Sequence, residues 1–149
     1  MTKLKTKLYD NFKLQQLGVD FMGYEFDEKK DLTYHHIQPK NYGGQTTYKN
    51  GALLIRPSHN YIHTIEAFDF KLFLELSQEL KKEHALGEIT KDRLITIAQM
   101  LKYFETKYKD SYTRGGTPLI KDEFVRRRIE LWVSWNITLT CVILHNVDW

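Results

Sequence analysis

The stretch Asp31–Glu66 reads DLTYHHIQPKNYGGQTTYKNGALLIRPSHNYIHTIE and contains four of the six histidines of the chain. These four are His35, His36, His59 and His63. Two of them are adjacent and two are four residues apart, and no acidic residue occurs from Leu32 through Ile65. A metal site built from this stretch would therefore have to use imidazole nitrogens as its ligands.

The same stretch carries three basic residues, Lys40, Lys49 and Arg56, so its surroundings suit a polyanion. The whole chain has a formal net charge of only +3 and a pI near 8.8. This total gives weak support for a nucleic-acid partner, because such partners usually select a strongly basic domain or patch. The local charge pattern is the more informative feature.

With 149 residues, the chain is long enough for one domain with a hydrophobic core but not comfortably for two. A single cysteine, Cys141, excludes a disulfide framework or a cysteine-ligated zinc within one chain. The N-terminal region lacks the apolar run of a signal peptide, and the apolar run Leu131–Leu144 is too short to span a bilayer. We expect a soluble, cytoplasmic protein with no membrane partner.

Hydrophobic periodicity predicts an amphipathic helix over residues 3–17, which Gly18 would end. Two runs rich in aromatic and β-branched residues, Val19–Phe26 and Leu32–Ile37, flank a polar turn and predict a β-hairpin. Gln38–Lys49 contains a proline and a Gly-Gly pair and is predicted to be a loop.

The apolar run Ala52–Ile55 has the length of a strand. Ser58 is predicted to cap a helix that runs to about His84, with a kink near Ala67–Asp69 and Gly87 as its stop. Another helix is predicted to begin after Thr90, with one apolar stripe. This stripe contains Leu94, Ile97, Leu101, Phe104 and Tyr108.

Farther along, 110–118 is predicted to be a loop or hinge, and a helix is predicted from Lys121. After Asn136 the pattern fits a strand or a continued buried helix, and both remain open. We expect an α+β fold with a single domain over 1–149. Its predicted parts are an N-terminal helix and hairpin strand (1–30), a core (31–66) and a mostly helical extension (67–149).

The spacing of His59 and His63 places both on one face of a helix, about 6 Å apart at most, so that both can bind one cation. They fall in the first turns, where the helix dipole favours an anion such as phosphate. Adjacent residues of a strand point to opposite faces, so one of His35 and His36 can bind a metal while the other stands apart. Three neutral nitrogens with open positions are typical of a catalytic metal site.

The stretch resembles the HNH nucleases, also called His-Me finger nucleases, whose core is a ββα-metal motif. The matching features are the HH pair followed by Ile37, the loop with a Gly-Gly pair, Asn50, the strand ALLI and the H-x-x-x-H of His59 to His63. The resemblance covers residues 31–66, about a quarter of the chain. The cysteine pairs with which many relatives bind a second, structural zinc are missing here.

The resemblance implies a role for each matching residue. His36 would be the general base that activates water, and His35, His59 and His63 would bind one divalent metal ion (Zn, Mg, Mn, Ni or Co). Asn50 would fix the loop between the strands and thereby orient the base. The implied activity is metal-dependent hydrolysis of phosphodiester bonds, in DNA rather than RNA because most of the family acts on DNA.

Other interpretations remain open from the residues alone. The histidines could form a structural zinc site in a non-catalytic nucleic-acid-binding module, although a fourth ligand would then be needed. Lys40, Lys49 and Arg56 could bind phosphate or could simply be surface residues. The run Arg126–Arg128 points in three directions on a helix and favours a solvated face. Tryptophans of the C-terminal part could form core, a homodimer surface or a site for a protein partner.

Overall fold

The computed structural model of the protein describes residues 2–108, and within this range it has an α+β fold, as predicted. Its helices are α1 (Thr2–Asn11), α2 (Leu14–Leu17), α3 (Arg56–Phe68), α4 (Phe70–Leu86) and α5 (Lys91–Tyr108). The strands are β1 (Leu32–His36) and β2 (Gly51–Ile55), and short 3-10 turns occupy Lys29–Asp31 and Lys40–Tyr42. Within the same range, no helix combines the length and the apolar character needed to cross a membrane.

The two strands pair antiparallel with each other, so that Leu32 lies opposite Ile55 and His36 opposite Gly51. The predicted hairpin between Val19–Phe26 and β1 is therefore wrong. Residues 19–26 form an irregular loop with one isolated bridge, between Val19 and Glu25. The reason lies in Asp20, whose carboxylate accepts hydrogen bonds from Met22 and Tyr24 backbone amides and folds the segment back on itself.

The buried Asp20 carboxylate also fixes the junction between β2 and α3. Its Oδ2 accepts hydrogen bonds from the Ile55 backbone amide at 3.0 Å and from Ser58 Oγ at 2.7 Å. Ser58 was predicted to be the helix cap, but α3 begins at Arg56 and Ser58 lies inside its first turn. The cap prediction is wrong because the serine hydroxyl donates a hydrogen bond to Asp20 and does not accept one from a backbone amide of the first turn.

The predicted helix from Ser58 to about His84 consists of two helices. Asp69 leaves the helical conformation (φ −145°), and its side chain accepts a hydrogen bond from the Leu72 amide, so it caps α4. Gly87 ends α4 with φ +73°, as predicted. The first helix is also divided, because Lys13 adopts φ +53° between α1 and α2.

The core lies around β2, whose five residues are all buried because the strand contacts both α1 and α3. Fully buried residues come from α1 (Leu8), β2 (Leu53, Leu54), α3 (Ile62, Ile65) and α5 (Ile97, Leu101, Phe104). The apolar stripe predicted for α5 is therefore confirmed for the residues whose side chains are described, and Thr90 accepts from the Arg93 amide as its cap. The predicted hinge at 110–118, the helix from Lys121 and the segment after Asn136 lie outside the described residues.

Candidate metal centre

Strand alternation separates the two adjacent histidines. His35 is completely buried on the β1 face that looks towards α3, the same face as Thr33. His36 is only half-buried and lies on the opposite face of β1 from His35. Its ring contacts that of Tyr34, which shares this face, with 4.9 Å between ring centroids. The separation expected from a two-residue strand period is present.

His59 and His63 lie in the first two turns of α3 and meet His35. The ring centroids of His35 and His59 are 5.1 Å apart, those of His35 and His63 5.4 Å, and those of His59 and His63 5.0 Å. One ring nitrogen from each histidine lies within 4.8 Å of the other two. These three histidines are therefore close enough to hold one metal ion.

The surroundings of His35 fit a bound metal. Both of its ring nitrogens are buried, and neither has a hydrogen-bond partner among residues 2–108. Such buried polar atoms normally find a partner, because an unsatisfied one costs about 1–3 kcal/mol. Burial, together with His59 and His63, lowers the pKa of His35 well below its usual value, so the ring is neutral and can offer a lone pair.

The hydroxyl of Thr33 determines which nitrogen of His59 faces the metal position. Thr33 Oγ1 donates its only proton to the Leu54 carbonyl at 2.8 Å. The same oxygen lies 2.8 Å from His59 Nδ1, so it must accept there and Nδ1 must carry the proton. Nε2 of the neutral ring is then left as the metal ligand. A residue that hydrogen-bonds the outer nitrogen of a metal-binding histidine, as Thr33 does here, usually fixes the tautomer and the orientation of the ring.

Glu66 plays the corresponding part for His63, since its carboxylate lies 3.1 Å from His63 Nδ1. The carboxylate accepts the Nδ1 proton and leaves Nε2 for a metal. Neither Thr33 nor Glu66 was among the predicted site residues. The spacing of Glu66, one helical turn after His63, could have identified it from the sequence. Thr33 could not be found in this way, because its contact depends on the packing of β1 against α3.

His36 and Asn50 lie at the opposite ends of the loop that joins the strands. His36 Nε2 is 2.8 Å from Thr46 Oγ1, and partial burial, Lys40 and His63 lower the pKa of His36. The Asn50 side chain accepts from the Gln38 amide at 2.8 Å and donates to the carbonyls of Gln38 and Gln45. Asn50 therefore closes the loop around His36, while the catalytic roles of both residues stay predictions.

The three predicted phosphate-binding residues are exposed. Arg56 begins α3 and borders an open groove of about 430 Å³ that Thr33 also lines. Burial, His63, His36 and, as the smallest contribution, Arg56 lower the pKa of His59 to about 4. Lys40 is close enough to His36 to lower its pKa. Lys49 precedes Asn50 and makes no hydrogen bond or ion pair with another residue in the described range. The structure thus brings Arg56 and Lys40 towards the histidines, whereas no contact links Lys49 to them.

Comparisons with protein-family models, with curated proteins and with solved structures found no match. The geometry of the histidines and the local sequence pattern are therefore the basis for any function.

Zinc or nickel added to chelator-treated protein is expected to raise the thermal unfolding midpoint. Metal that binds only the folded state at 100 times its Kd adds about 2.7 kcal/mol, or several degrees for a domain of this size. Magnesium should have a smaller effect, because imidazole ligands favour transition metals. His63→Gln is the matched variant, since it removes an exposed ligand. A shift of the same size in His63→Gln would contradict the site.

Thr33→Val is expected to weaken metal binding by about 10- to 100-fold, because the isosteric side chain cannot fix the tautomer of His59. Thr33→Ser keeps the hydroxyl and should bind metal like the wild type. Titration calorimetry with zinc measures both variants. Equal affinities of the valine and serine variants would show that the Thr33–His59 contact is irrelevant to the metal.

Acid is expected to destabilise the metal-free protein between about pH 6.5 and 4. Burial, followed by His63, His36 and Arg56, lowers the pKa of His59 to about 4. In this window the unfolded chain therefore binds more protons than the folded one, and the free energy of unfolding decreases as the pH is lowered. Asp20 acts in the opposite direction, because burial raises its pKa to about 6. His59→Asn isolates the histidine contribution, since its amide nitrogen lies near the position of Nδ1.

Denaturant unfolding at pH 7.5 and pH 5, in the presence of a chelator, measures this effect. The wild type should lose about 1–2 kcal/mol more than His59→Asn, after allowance for the partial exposure of His59. An identical pH dependence of the two proteins would mean that His59 has an ordinary pKa in the folded state.

Proposed function

We propose that this protein is a metal-dependent endonuclease of the HNH (ββα-metal) type that hydrolyses phosphodiester bonds of DNA. The observation that supports this most is the division of the histidines. His35, His59 and His63 converge on one point, and the ring nitrogens of His35 are buried without a hydrogen-bond partner among residues 2–108. The adjacent His36 stands on the other face of the strand beside an exposed loop. One cluster can therefore bind a metal while a fourth imidazole exchanges protons.

His36 is suited to act as the general base. Its pKa is lowered by burial and by the charge of Lys40, so the ring is neutral near pH 7 and can accept a proton from water. Thr46 Oγ1 lies 2.8 Å from Nε2, and a ring that donates its Nε2 proton to this oxygen keeps a lone pair on Nδ1 for the proton of water. Asn50 positions this arrangement indirectly, through the loop that carries Thr46.

A divalent metal ion, when bound, would neutralise charge on the scissile phosphate and stabilise the leaving oxygen. The chain itself supplies three imidazole ligands, of which His59 and His63 make outer contacts through Nδ1 to Thr33 and Glu66. Arg56 and Lys40 would hold neighbouring phosphates, Arg56 at the positive end of α3. Because phosphate contacts dominate such binding, affinity for DNA should fall steeply as salt is added.

The alternative is a non-catalytic nucleic-acid-binding module with a structural metal. Structural zinc sites are closed by four protein ligands, and the cluster among residues 2–108 has three. The three-ligand cluster favours the enzyme.

Cleavage of supercoiled plasmid tests the proposal. The purified chain is treated with chelator and then supplied in turn with Mg, Mn, Co, Ni or Zn, with a His59→Ala, His63→Ala double variant as the control for contaminating nuclease. Metal-restored nicking or linearisation by the wild type alone supports the endonuclease. A wild type that is inert with every metal but retards DNA in a gel supports the binding module.

A further inference from the structure

Two exposed aromatic rings contact each other across the segments that follow β1 and α3. Tyr42 is 59% exposed and Phe70 is 40% exposed, and their ring centroids are 5.6 Å apart. Tyr42 belongs to the loop that follows β1, and Phe70 begins α4 directly after α3. The pair therefore joins the two segments that lead away from the strand and the helix carrying the histidines. We refer to Tyr42 and Phe70 as the aromatic step.

The backbone that carries Tyr42 is closely fixed although its ring is exposed. The Tyr42 carbonyl accepts a hydrogen bond from Gln38 Nε2 at 2.5 Å, and the Gly44 amide donates to the Pro39 carbonyl at 3.0 Å. The turn is so tight that a Cβ atom on Gly44 would lie 1.7 Å from the Gln38 carbonyl oxygen. Asn50 also accepts a hydrogen bond from the Gln38 amide. The Tyr42 ring therefore projects from the same hydrogen-bonded loop that contacts His36 through Thr46.

Phe70 is supported from beneath. Its ring is stacked on that of Phe73, which is fully buried in the core, with centroids 5.8 Å apart. One side of the Phe70 ring packs on the core, and another side is exposed to water. Exposure of apolar surface costs about 25 cal/mol per Å² relative to its burial. The step therefore has the form of a rigid, pre-positioned surface for another flat apolar group.

Lysine residues neighbour both aromatic residues in the chain. Lys40 lies in the same short turn as Tyr42, and Lys71 follows Phe70, and both ammonium groups are exposed without an ion-pair partner among the described residues. The nearby Asp69 carboxylate is already engaged by the Leu72 amide and by Lys107. Exposed aromatic rings on a turn and a helix that also carry exposed lysines suit a chain of alternating bases and phosphates whose bases are not paired.

We propose that the aromatic step binds an unpaired nucleobase of the substrate strand, so that the preferred substrate is single-stranded or locally unpaired nucleic acid. This inference rests on the proposed function and adds the structural class of its substrate. In a duplex the faces of the bases are stacked on one another and cannot reach Tyr42 or Phe70. An unpaired base gains about 1–3 kcal/mol by stacking on an aromatic side chain, whatever its identity.

Binding measured without cleavage tests the inference. Labelled oligothymidine, oligouridine and a duplex of equal length are titrated with the protein in chelator, with fluorescence anisotropy as the readout. Tyr42→Leu removes the π-face but keeps apolar volume, Tyr42→Phe keeps the ring, and Tyr103→Leu is the matched control at an exposed tyrosine of α5. Circular dichroism confirms that each variant is folded.

The expected result is 5- to 150-fold weaker single-strand binding by Tyr42→Leu, with little change for the duplex and wild-type behaviour of the other two variants. Oligothymidine and oligouridine arms show whether a DNA or an RNA strand is preferred. Unchanged single-strand binding by Tyr42→Leu, a wild-type preference for duplex, or a loss of self-association on Tyr42→Leu in sedimentation would overturn the inference.

This outcome is separable from that of the proposed function. If the wild type cleaves plasmid and Tyr42→Leu binds single strands as tightly as the wild type, the endonuclease proposal stands and the role of the aromatic step is refuted. Single-strand binding that depends on Tyr42, in a protein that cleaves neither plasmid nor single-stranded DNA with any metal, would leave the step and remove the endonuclease.

Discussion

Replacing His36 with alanine is expected to lower the rate of metal-dependent plasmid cleavage by about 10²- to 10⁴-fold, the usual contribution of a positioned general base. His36 is the only histidine of the quartet that lies outside the metal cluster. Its ring is half-exposed and its lowered pKa keeps it neutral at pH 7. The variant removes a proton acceptor without removing a ligand, so a single-turnover assay in manganese or nickel should show the loss in the chemical step.

Metal binding separates this role from a ligand role. His36→Ala should keep the metal-dependent rise in melting temperature, whereas His63→Gln should lose it. Thr46→Ala is a milder partner variant, because it frees the His36 ring without removing it, and we expect an intermediate rate. Cleavage by His36→Ala within tenfold of the wild type would show that another group activates water. Loss of the metal-dependent shift in His36→Ala would make it a ligand.

The candidate metal ligands could be predicted from the sequence because the relations between them are local. Four-residue spacing in a helix and alternation in a strand place His59 with His63 and separate His35 from His36, whatever the rest of the chain does. Their meeting across two elements required the strand–loop–strand–helix order, which the turn and strand signals of residues 32–66 also predicted. These short-range rules leave open which of His35 and His36 joins the cluster, and the choice of His35 came from the resemblance to the HNH pattern.

Strand pairing was predicted wrongly because it is not local. Val19–Phe26 has the aromatic content of a strand, but Phe21, Met22 and Tyr24 are buried as core residues of a loop. Their burial gives the same apolar pattern that a strand would give, and β propensity mostly reflects such burial. β1 instead pairs with a strand beyond the loop of residues 38–50, where the hydrogen bonds of Asn50 bring the two chain segments together.

Supporting contacts were missed for a related reason. Thr33 and His59 are 26 residues apart, and Asp20 and Ile55 are 35 residues apart, so neither contact has a sequence period. An isolated aspartate in a short segment normally indicates a turn or a solvated surface. Only the packed fold shows that four donors converge on Asp20.

Asp20→Ala is expected to destabilise the fold by about 3 kcal/mol and to lower the melting temperature by about 10 °C. The carboxylate is completely buried and accepts from the backbone amides of Met22, Tyr24 and Ile55 and from Ser58 Oγ. Alanine leaves three buried amides without an acceptor, each at a cost of about 1–3 kcal/mol. The release of a buried charge offsets part of this loss, because burial raises the pKa of Asp20 to about 6.

Denaturant unfolding of the metal-free protein at pH 7 measures the loss, with Asp10→Ala at an exposed aspartate of α1 as the control, expected within about 0.5 kcal/mol of the wild type. The stability of Asp20→Asn should lie between those of Asp20→Ala and Asp10→Ala. The remaining side-chain oxygen can still accept hydrogen bonds, while the new amide group faces two donors. Because Asp20 fixes the junction from which Arg56 and His59 project, Asp20→Asn should also weaken zinc binding. Wild-type stability of Asp20→Ala would mean that the β2–α3 junction is held by packing alone, and that the convergence of donors on Asp20 contributes nothing to the position of the metal ligands.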